Sequence, residues 1–334
     1  MTGSTLGQGS AADRNSDAAF PLRDIARAKV NLTLEILGRR ADGYHELRSL
    51  VAFTRFGDAL SVHPGKPFSL QVDGPFASAL DGGNLVQAAA ELYAKADLQP
   101  YDVQALAPES ADAARGSSPS PTPEGTQPYA SLGAFRLEKR IPVAAGLGGG
   151  SADAAAALRL LAGSPTEASR LRALLPLAAK LGADVPVCVF SQAAIMTGVG
   201  ERLSLIPVFP PLPILLVNPR APLSTAAVFR ELRSPALSST AENEEPVRLS
   251  TIDDVVRHAR LSRNDLQAPA ARLLPVIGDM LSRMQTLPGA LLARLSGSGP
   301  TCFALFRAEA EAEAAALHLR DEQPEWWAEA TTLG

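Results

Sequence analysis

The sequence predicts an α+β protein built as two mixed layers. Three observations carry this. Apolar residues recur with period two in some stretches and near 3.6 in others, in irregular order along 334 residues. A glycine cluster at 146–150 opens directly onto an alanine-rich helical stretch, GLGGGSADAAAAL. A proline-rich border, FPPLP at 209–213, separates two stretches that each contain strand and helix patterns. The length exceeds one typical domain and reads as two.

The elements follow in order. Residues 1–19 are small and polar, which predicts a disordered tail. From Asp24 the alternation begins, and KVNLTLEIL sets Val30, Leu32, Leu34 and Ile36 on one face of a half-buried strand that Gly38 ends. RRADGYHEL supplies a loop with an Asp-Gly turn signal, and SLVAFTRF reads as a second strand. GDALSVHPG and FSLQVDG predict two more. NLVQAAAELYAKA, 84–96, has helical spacing with Asn84 as N-cap. Residues 108–130, rich in Ser, Pro, Gly and Ala, read as an exposed, dispensable insertion. AFRLEKRIP resumes a strand and leads into the glycine loop. A helix starts at Ser151, and TEASRLRALLPLAAKLG gives one or two more. VPVCVF, AAIMTG and ERLSLIPV read as strands. Beyond FPPLP, ILLVNP is a strand and STAAVFREL a helix; 234–250 is a polar loop. DDVVRHARL and APAARLLPVIGDMLSRMQT are helical. ALLARLSGSG enters a second glycine loop, CFALF is a strand, and AEAEAAALHLRDE closes as a helix. No solenoid-length repeat occurs.

Composition bounds the function. Hydrophobic residues are 46% and charged residues 20%, enough apolar material for a core. A net charge of −4 argues against general binding to nucleic acid or anionic membrane, so an acidic ligand needs a local positive site. Cys188 and Cys302 sit in apolar stretches and read as buried thiols of a reducing compartment. The four histidines are scattered and no Cys/His grouping has zinc spacing, so no metal ligand is assigned. No apolar run approaches the ~20 residues of a bilayer span. The N-terminal segment lacks the apolar stretch of a signal peptide, so a cytoplasmic location is expected.

The glycine loop carries the chemistry. Several backbone N–H groups converging at a helix start can hold an anion, and glycine removes the Cβ that would block its approach. The pattern is not a Walker A loop, since no Gly-Lys-Ser/Thr follows. It is a poor dinucleotide fingerprint as well, because Ser151 stands where its last glycine belongs. A flexible turn with a serine cap is the competing reading.

PVAAGLGGGSADAAAAL resembles the central phosphate-loop motif of the GHMP kinases, the superfamily of galactokinase, homoserine, mevalonate and phosphomevalonate kinases. Three further segments, AKVNLTLEILGRRADGYHELRSLV (28–51), LGADVPVCVF (181–190) and LSGSGPTCFALF (295–306), resemble its 4-diphosphocytidyl-2-C-methyl-D-erythritol kinase family. The likeness runs from about residue 24 to the C-terminal helix, broken by the 108–130 insertion. It implies a two-domain GHMP kinase fold. A ribosomal-protein-S5-like ATP-binding domain would cover 20–208 and a ferredoxin-like domain 209–334, with the active site in the cleft between them.

The resemblance also implies roles. Asp184 matches the catalytic aspartate and Lys29 the active-site lysine; alternation puts Lys29 and Asn31 on one strand face, and Asn31 reads as a substrate-positioning amide. Tyr44 and His45 match a cytidine-recognition pair, an aromatic face for stacking and an imidazole for hydrogen bonding. Phe229 aligns as the opposing ring and Thr225 as a hydroxyl near the substrate. Gly146, Leu147, Gly148, Gly149, Gly150 and Ser151 would wrap the ATP phosphates. Asn84 and Leu85 fall on the adenine side, and Lys139 and Pro142 near the nucleotide. Gly297, Ser298 and Gly299 would close over phosphates and substrate, although a tight strand entry would also explain them.

The expected function is therefore ATP-dependent phosphorylation of the 2-hydroxyl of a cytidine-diphosphate-bearing methylerythritol, with Mg2+ arriving on the nucleotide. The partner is a small molecule, neither nucleic acid nor membrane, and the protein is expected to be a monomer or homodimer. Two alternatives stay open: another superfamily kinase, acting on homoserine or mevalonate, and a nucleotide-binding protein without turnover.

Overall fold

The computed structural model describes residues 21–80, 82–96, 132–233 and 248–334. The expected tail at 1–19 and insertion at 108–130 lie outside the described residues, as does most of the expected loop at 234–250.

In chain order the first half contains β1 (Leu22–Asn31), β2 (Glu35–Arg39), β3 (His45–His63), β4 (Ser69–Asp73), α1 (Leu85–Lys95), β5 (Ala134–Glu138), α2 (Gly149–Leu161), α3 (Ala168–Ala173), α4 (Leu175–Leu181), α5 (Val185–Phe190), β6 (Ala194–Gly198) and β7 (Arg202–Leu205). The second half contains β8 (Leu212–Asn218), α6 (Thr225–Leu232), α7 (Ile252–Leu261), α8 (Gln267–Leu273), α9 (Val276–Gln285), β9 (Leu292–Leu295), β10 (Cys302–Leu305), α10 (Glu309–Glu322) and β11 (Trp327–Leu333).

β3 is the hub. It pairs antiparallel with β1, β2, β5 and β6 along its 19 residues, and β11 joins it to the sheet of the second half. The path runs β4-β5-β3-β11-β8-β10-β9, and among the described strands only β4 and β5 pair in parallel. The FPPLP border falls at the entry to β8.

α2 lies against α1, β1 and α5. Every residue from Ala152 to Leu161 is buried, which explains the alanine: small side chains let neighbours approach, and the two charged residues of the stretch, Asp153 and Arg159, meet Lys139 and Asp24. α1 starts where the sequence predicts, with Asn84 Oδ1 accepting from Val86 N–H at 2.8 Å.

Four readings need correction. VPVCVF is the helix α5, not a strand. Val185 to Val189 are all buried, so no polar face reveals the period, and Pro186 fits the first turn, where its missing N–H costs nothing. SLVAFTRF and GDALSV belong to the single strand β3, which runs through Gly57 without ending. The strand expected over KVNLTLEIL divides into β1 and β2. Leu34 leaves the sheet to donate its N–H to Arg263 O at 2.8 Å. The closing segment, unassigned from sequence, is β11, set between β3 and β8.

Candidate active site

The first glycine loop enters α2 through two left-handed residues, Gly146 at φ +73° and Gly148 at φ +64°, the latter being the N-cap. It walls a cavity of about 570 Å³, with Asn84 and Leu85 on one side and Lys139 and Pro142 on another. Gly146, Gly148, Gly149, Gly150 and Ser151 line it as well. Leu147 does not: its side chain is fully buried, and its carbonyl accepts from Lys29 N–H at 2.8 Å.

A second cavity of about 380 Å³ shares Gly146, Gly148 and Ser151 with the first. Lys29 and Asp184 lie in it, with Nζ 2.7 Å from Asp184 Oδ1. Lys29 is buried while the Asp184 side chain is 40% exposed. An ammonium and a solvent-reached carboxylate therefore stand beside the helix tip that would hold phosphate. Asn31, Thr225, Phe229, Gly297 and Ser298 line the same cavity. Asn31 Nδ2 donates to Ser49 Oγ at 2.7 Å, leaving Oδ1 beside Gly297. Thr225 and Ser298 hydroxyls are 2.8 Å apart. His45 and Phe229 pack with ring centroids 4.9 Å apart, and Tyr44 is exposed next to them. Burial, then the charge of Arg39, holds the His45 imidazole below its ordinary range, so it is neutral at pH 7. Gly299 faces elsewhere, packing its carbonyl against Gly146 instead of lining either cavity.

Family models for the GHMP kinase N-terminal domain and the GHMP kinase C-terminal region match residues 124–192 and 247–325. A 4-diphosphocytidyl-2-C-methyl-D-erythritol kinase of Bradyrhizobium sp. is 42% identical over 325 residues, covering 94% of this chain and 97% of that one. One from Parvibaculum lavamentivorans is 43% identical over 316 residues, covering 94% and 99%. The chain belongs to the 4-diphosphocytidyl-2-C-methyl-D-erythritol kinase family of GHMP kinases. A crystal structure of a 4-(cytidine 5'-diphospho)-2C-methyl-D-erythritol kinase shares 33% identity, with a TM-score of 0.65 over 94% of this chain and 99% of that one. Homoserine kinase of Cytophaga hutchinsonii, at 15% identity and a TM-score of 0.59, shares the fold.

Around these family motifs stand residues that sequence reasoning missed. Ser296 Oγ accepts from Asn31 N–H at 3.2 Å and donates to Gly146 O at 3.3 Å. It thus joins β1 and both glycine loops at one hydroxyl. Asn264 Nδ2 donates to Leu295 O and Gly297 O, both at 2.8 Å, and fixes the second loop. Arg159, on α2, donates to Cys188 O at 2.7 Å and Val189 O at 3.2 Å, and its Nε meets Asp24 at 2.8 Å. It therefore ties the phosphate-loop helix to the end of α5, whose N-cap is Asp184. Lys139, expected beside the nucleotide, is held by Asp58 and Asp153. The signal for Asp153 was an acid in the alanine run; nothing local marks Asp58, Ser296 or Asn264.

Proposed function

We propose that this GHMP kinase transfers the γ-phosphoryl group of ATP to the 2-hydroxyl of 4-diphosphocytidyl-2-C-methyl-D-erythritol. The supporting relatives carry that name, and the carrying observation is the Lys29–Asp184 pair in a cavity that meets the nucleotide cavity at Gly146, Gly148 and Ser151. In this reading the triphosphate lies across the N–H groups of the first glycine loop, where the helix dipole and the glycine backbone favour an anion. Adenine lies toward Asn84 and Leu85. The cytosine stacks on Tyr44, with the His45–Phe229 pair at its edge. The acceptor hydroxyl reaches Asp184.

Asp184 takes the hydroxyl proton. Phosphoryl transfer is largely dissociative, so a weak base suffices if the proton leaves late. Lys29 orients that carboxylate and offsets negative charge on the transferring oxygens. The nucleotide would arrive as its Mg2+ complex, which would supply partial neutralisation of the phosphate charge. Among the described residues no group of three His, Cys, Asp or Glu side chains could hold a metal, so no protein ligand is named. Segments 20–208 and 209–334 serve as the N-terminal ATP-binding domain and the C-terminal GHMP kinase domain, with residues of both lining the acceptor cavity, and the protein acts in the cytoplasm.

A homoserine or mevalonate kinase would have no use for an exposed Tyr44 next to the His45–Phe229 ring pair. Purified protein with ATP, Mg2+ and the cytidine substrate should yield a monophosphorylated product, with homoserine and mevalonate unreacted. Folded protein that phosphorylates either of those instead refutes the substrate assignment.

A further inference from the structure

Beneath the first glycine loop two carboxylates share one ammonium. Lys139 Nζ meets Asp58 Oδ2 and lies 2.7 Å from Asp153 Oδ2. Asp58, on β3, is fully buried, and its Oδ1 accepts from Arg140 N–H at 2.6 Å and Ile141 N–H at 2.8 Å. Both its oxygens are satisfied by donors. Asp153, on α2, is equally enclosed, but its Oδ1 is buried without a partner. Lys139 and Asp153 both line the nucleotide cavity, and a Cβ on Gly149 would lie 3.6 Å from Lys139 Nζ.

With both acids ionised the cluster carries a net negative charge, at the place where a triphosphate must sit. That is a poor arrangement for an anion site unless one acid is neutralised. Burial raises the Asp153 carboxyl most, Asp58 adds to this and Lys139 opposes it, and the group is pushed up to about 7. The carboxylates more than offset the burial of Lys139 and keep it charged. The remaining groups nearby cannot substitute for Asp153. From α5, Cys188 is pushed up to about 12 by burial and stays a neutral thiol; from β1, Lys29 is engaged by Asp184.

We propose that Asp153 is a positioning residue for the nucleotide, taking up one proton from solvent as the triphosphate binds and so releasing the charge of Lys139 toward the phosphates. The proposal rests on the kinase reading only in requiring that ATP occupy this cavity. Protonation converts the unpartnered carboxylate oxygen to a neutral hydroxyl, and Asp58 remains as the counter-ion that aims Lys139. Asp153 itself need not touch the nucleotide.

The test is calorimetric titration of the full chain with a magnesium complex of a non-transferable ATP analogue, at pH 6 to 9, in two buffers of different ionisation enthalpy. At pH 8 the wild type should take up close to one proton more than Asp153→Asn. Its affinity relative to that variant should fall by up to ~10-fold per pH unit above 7, the limit for one linked proton. The ligand's own titration is common to both proteins and cancels. A merely structural Asp153 would shift affinity equally at every pH, and parallel profiles with equal proton uptake overturn the proposal. If Asp153→Asn does not fold, the wild type decides alone: uptake beyond the ligand's own supports the assignment, and none defeats it. Phosphoryl transfer is assayed separately, so a protein that binds with proton uptake yet transfers nothing would sink the kinase reading and leave this one standing.

Discussion

Replacing Gly146 with alanine tests whether the two glycine loops form one binding surface. At φ +73° an alanine incurs the left-handed cost, ~1–2 kcal/mol. Its Cβ would lie 2.5 Å from Gly299 O, 2.9 Å from Gly299 C and 3.1 Å from Ser296 O, all main-chain atoms of the second loop. Close carbon–oxygen contacts in proteins stop at ~3.3 Å, so the loops must part by ~0.8 Å. Gly146 lines both cavities, and a displacement near 1 Å at a reacting centre costs ~10²-fold, or ~2.7 kcal/mol of barrier. The assay is steady-state phosphoryl transfer with each substrate varied in turn, beside thermal unfolding. Specificity constants for both ATP and acceptor should fall by about that factor, because one movement disturbs both cavities. Gly278→Ala is the control. It sits inside α9 with nothing within 4 Å of an added Cβ, and helix propensity makes it neutral or stabilising. Loss confined to one substrate, or a Gly146→Ala enzyme as active and as stable as the wild type, would refute the coupled-loop argument.

Asp184→Asn should lower kcat by ~10²–10⁴-fold while leaving ATP affinity nearly unchanged, as measured by single-turnover transfer and analogue binding. Tyr44→Ala should remove a stacking contact of ~1–3 kcal/mol and raise KM for the cytidine substrate, with KM for ATP unmoved in initial-rate assays. Asn264→Leu should leave the carbonyls of Leu295 and Gly297 unpaired in a buried place, at ~1–3 kcal/mol each, and lower the midpoint of denaturant unfolding. For His45, whose folded value is depressed, the neutral form is favoured on folding; its contribution is present above ~6.5 and is lost as pH falls from there through the lower folded value. NMR titration should therefore place its midpoint below 6.5, and Arg39→Ala should move it up only slightly, since burial is the larger cause.

Much of this site was legible because its parts are local. A glycine run before an alanine helix marks a loop entering a helix start, and the alternation around Val30 puts Lys29 and Asn31 on one face, where both line one cavity. The misreadings have different causes. VPVCVF is apolar throughout because Val185 to Val189 are all buried, and periodicity cannot separate a buried six-residue helix from a buried strand. Leu147 followed the glycines into the expected phosphate set by sequence position alone, whereas the turn at Gly146 and Gly148 sends its side chain into the core. Asp58 and Asn264 act through partners 81 and 33 residues away, and no local pattern encodes such a pairing.

The same separation explains why the second glycine loop is where it is. β11 registers with β3 only at Leu333 and Thr54, a narrow joint between the sheet that carries Lys29 and the strands that carry Ser298. A site shared across that joint would shear if the sheet alone held it. Thr301 donates its N–H to Ala145 O at 3.2 Å, and Ser296 bonds both Asn31 and Gly146. These contacts cross from the second loop to the first beside the cavities, and the buried core that Val30, Leu32, Ile214 and Phe303 share spans both halves, so the geometry between the two cavities is not left to the β11 joint alone.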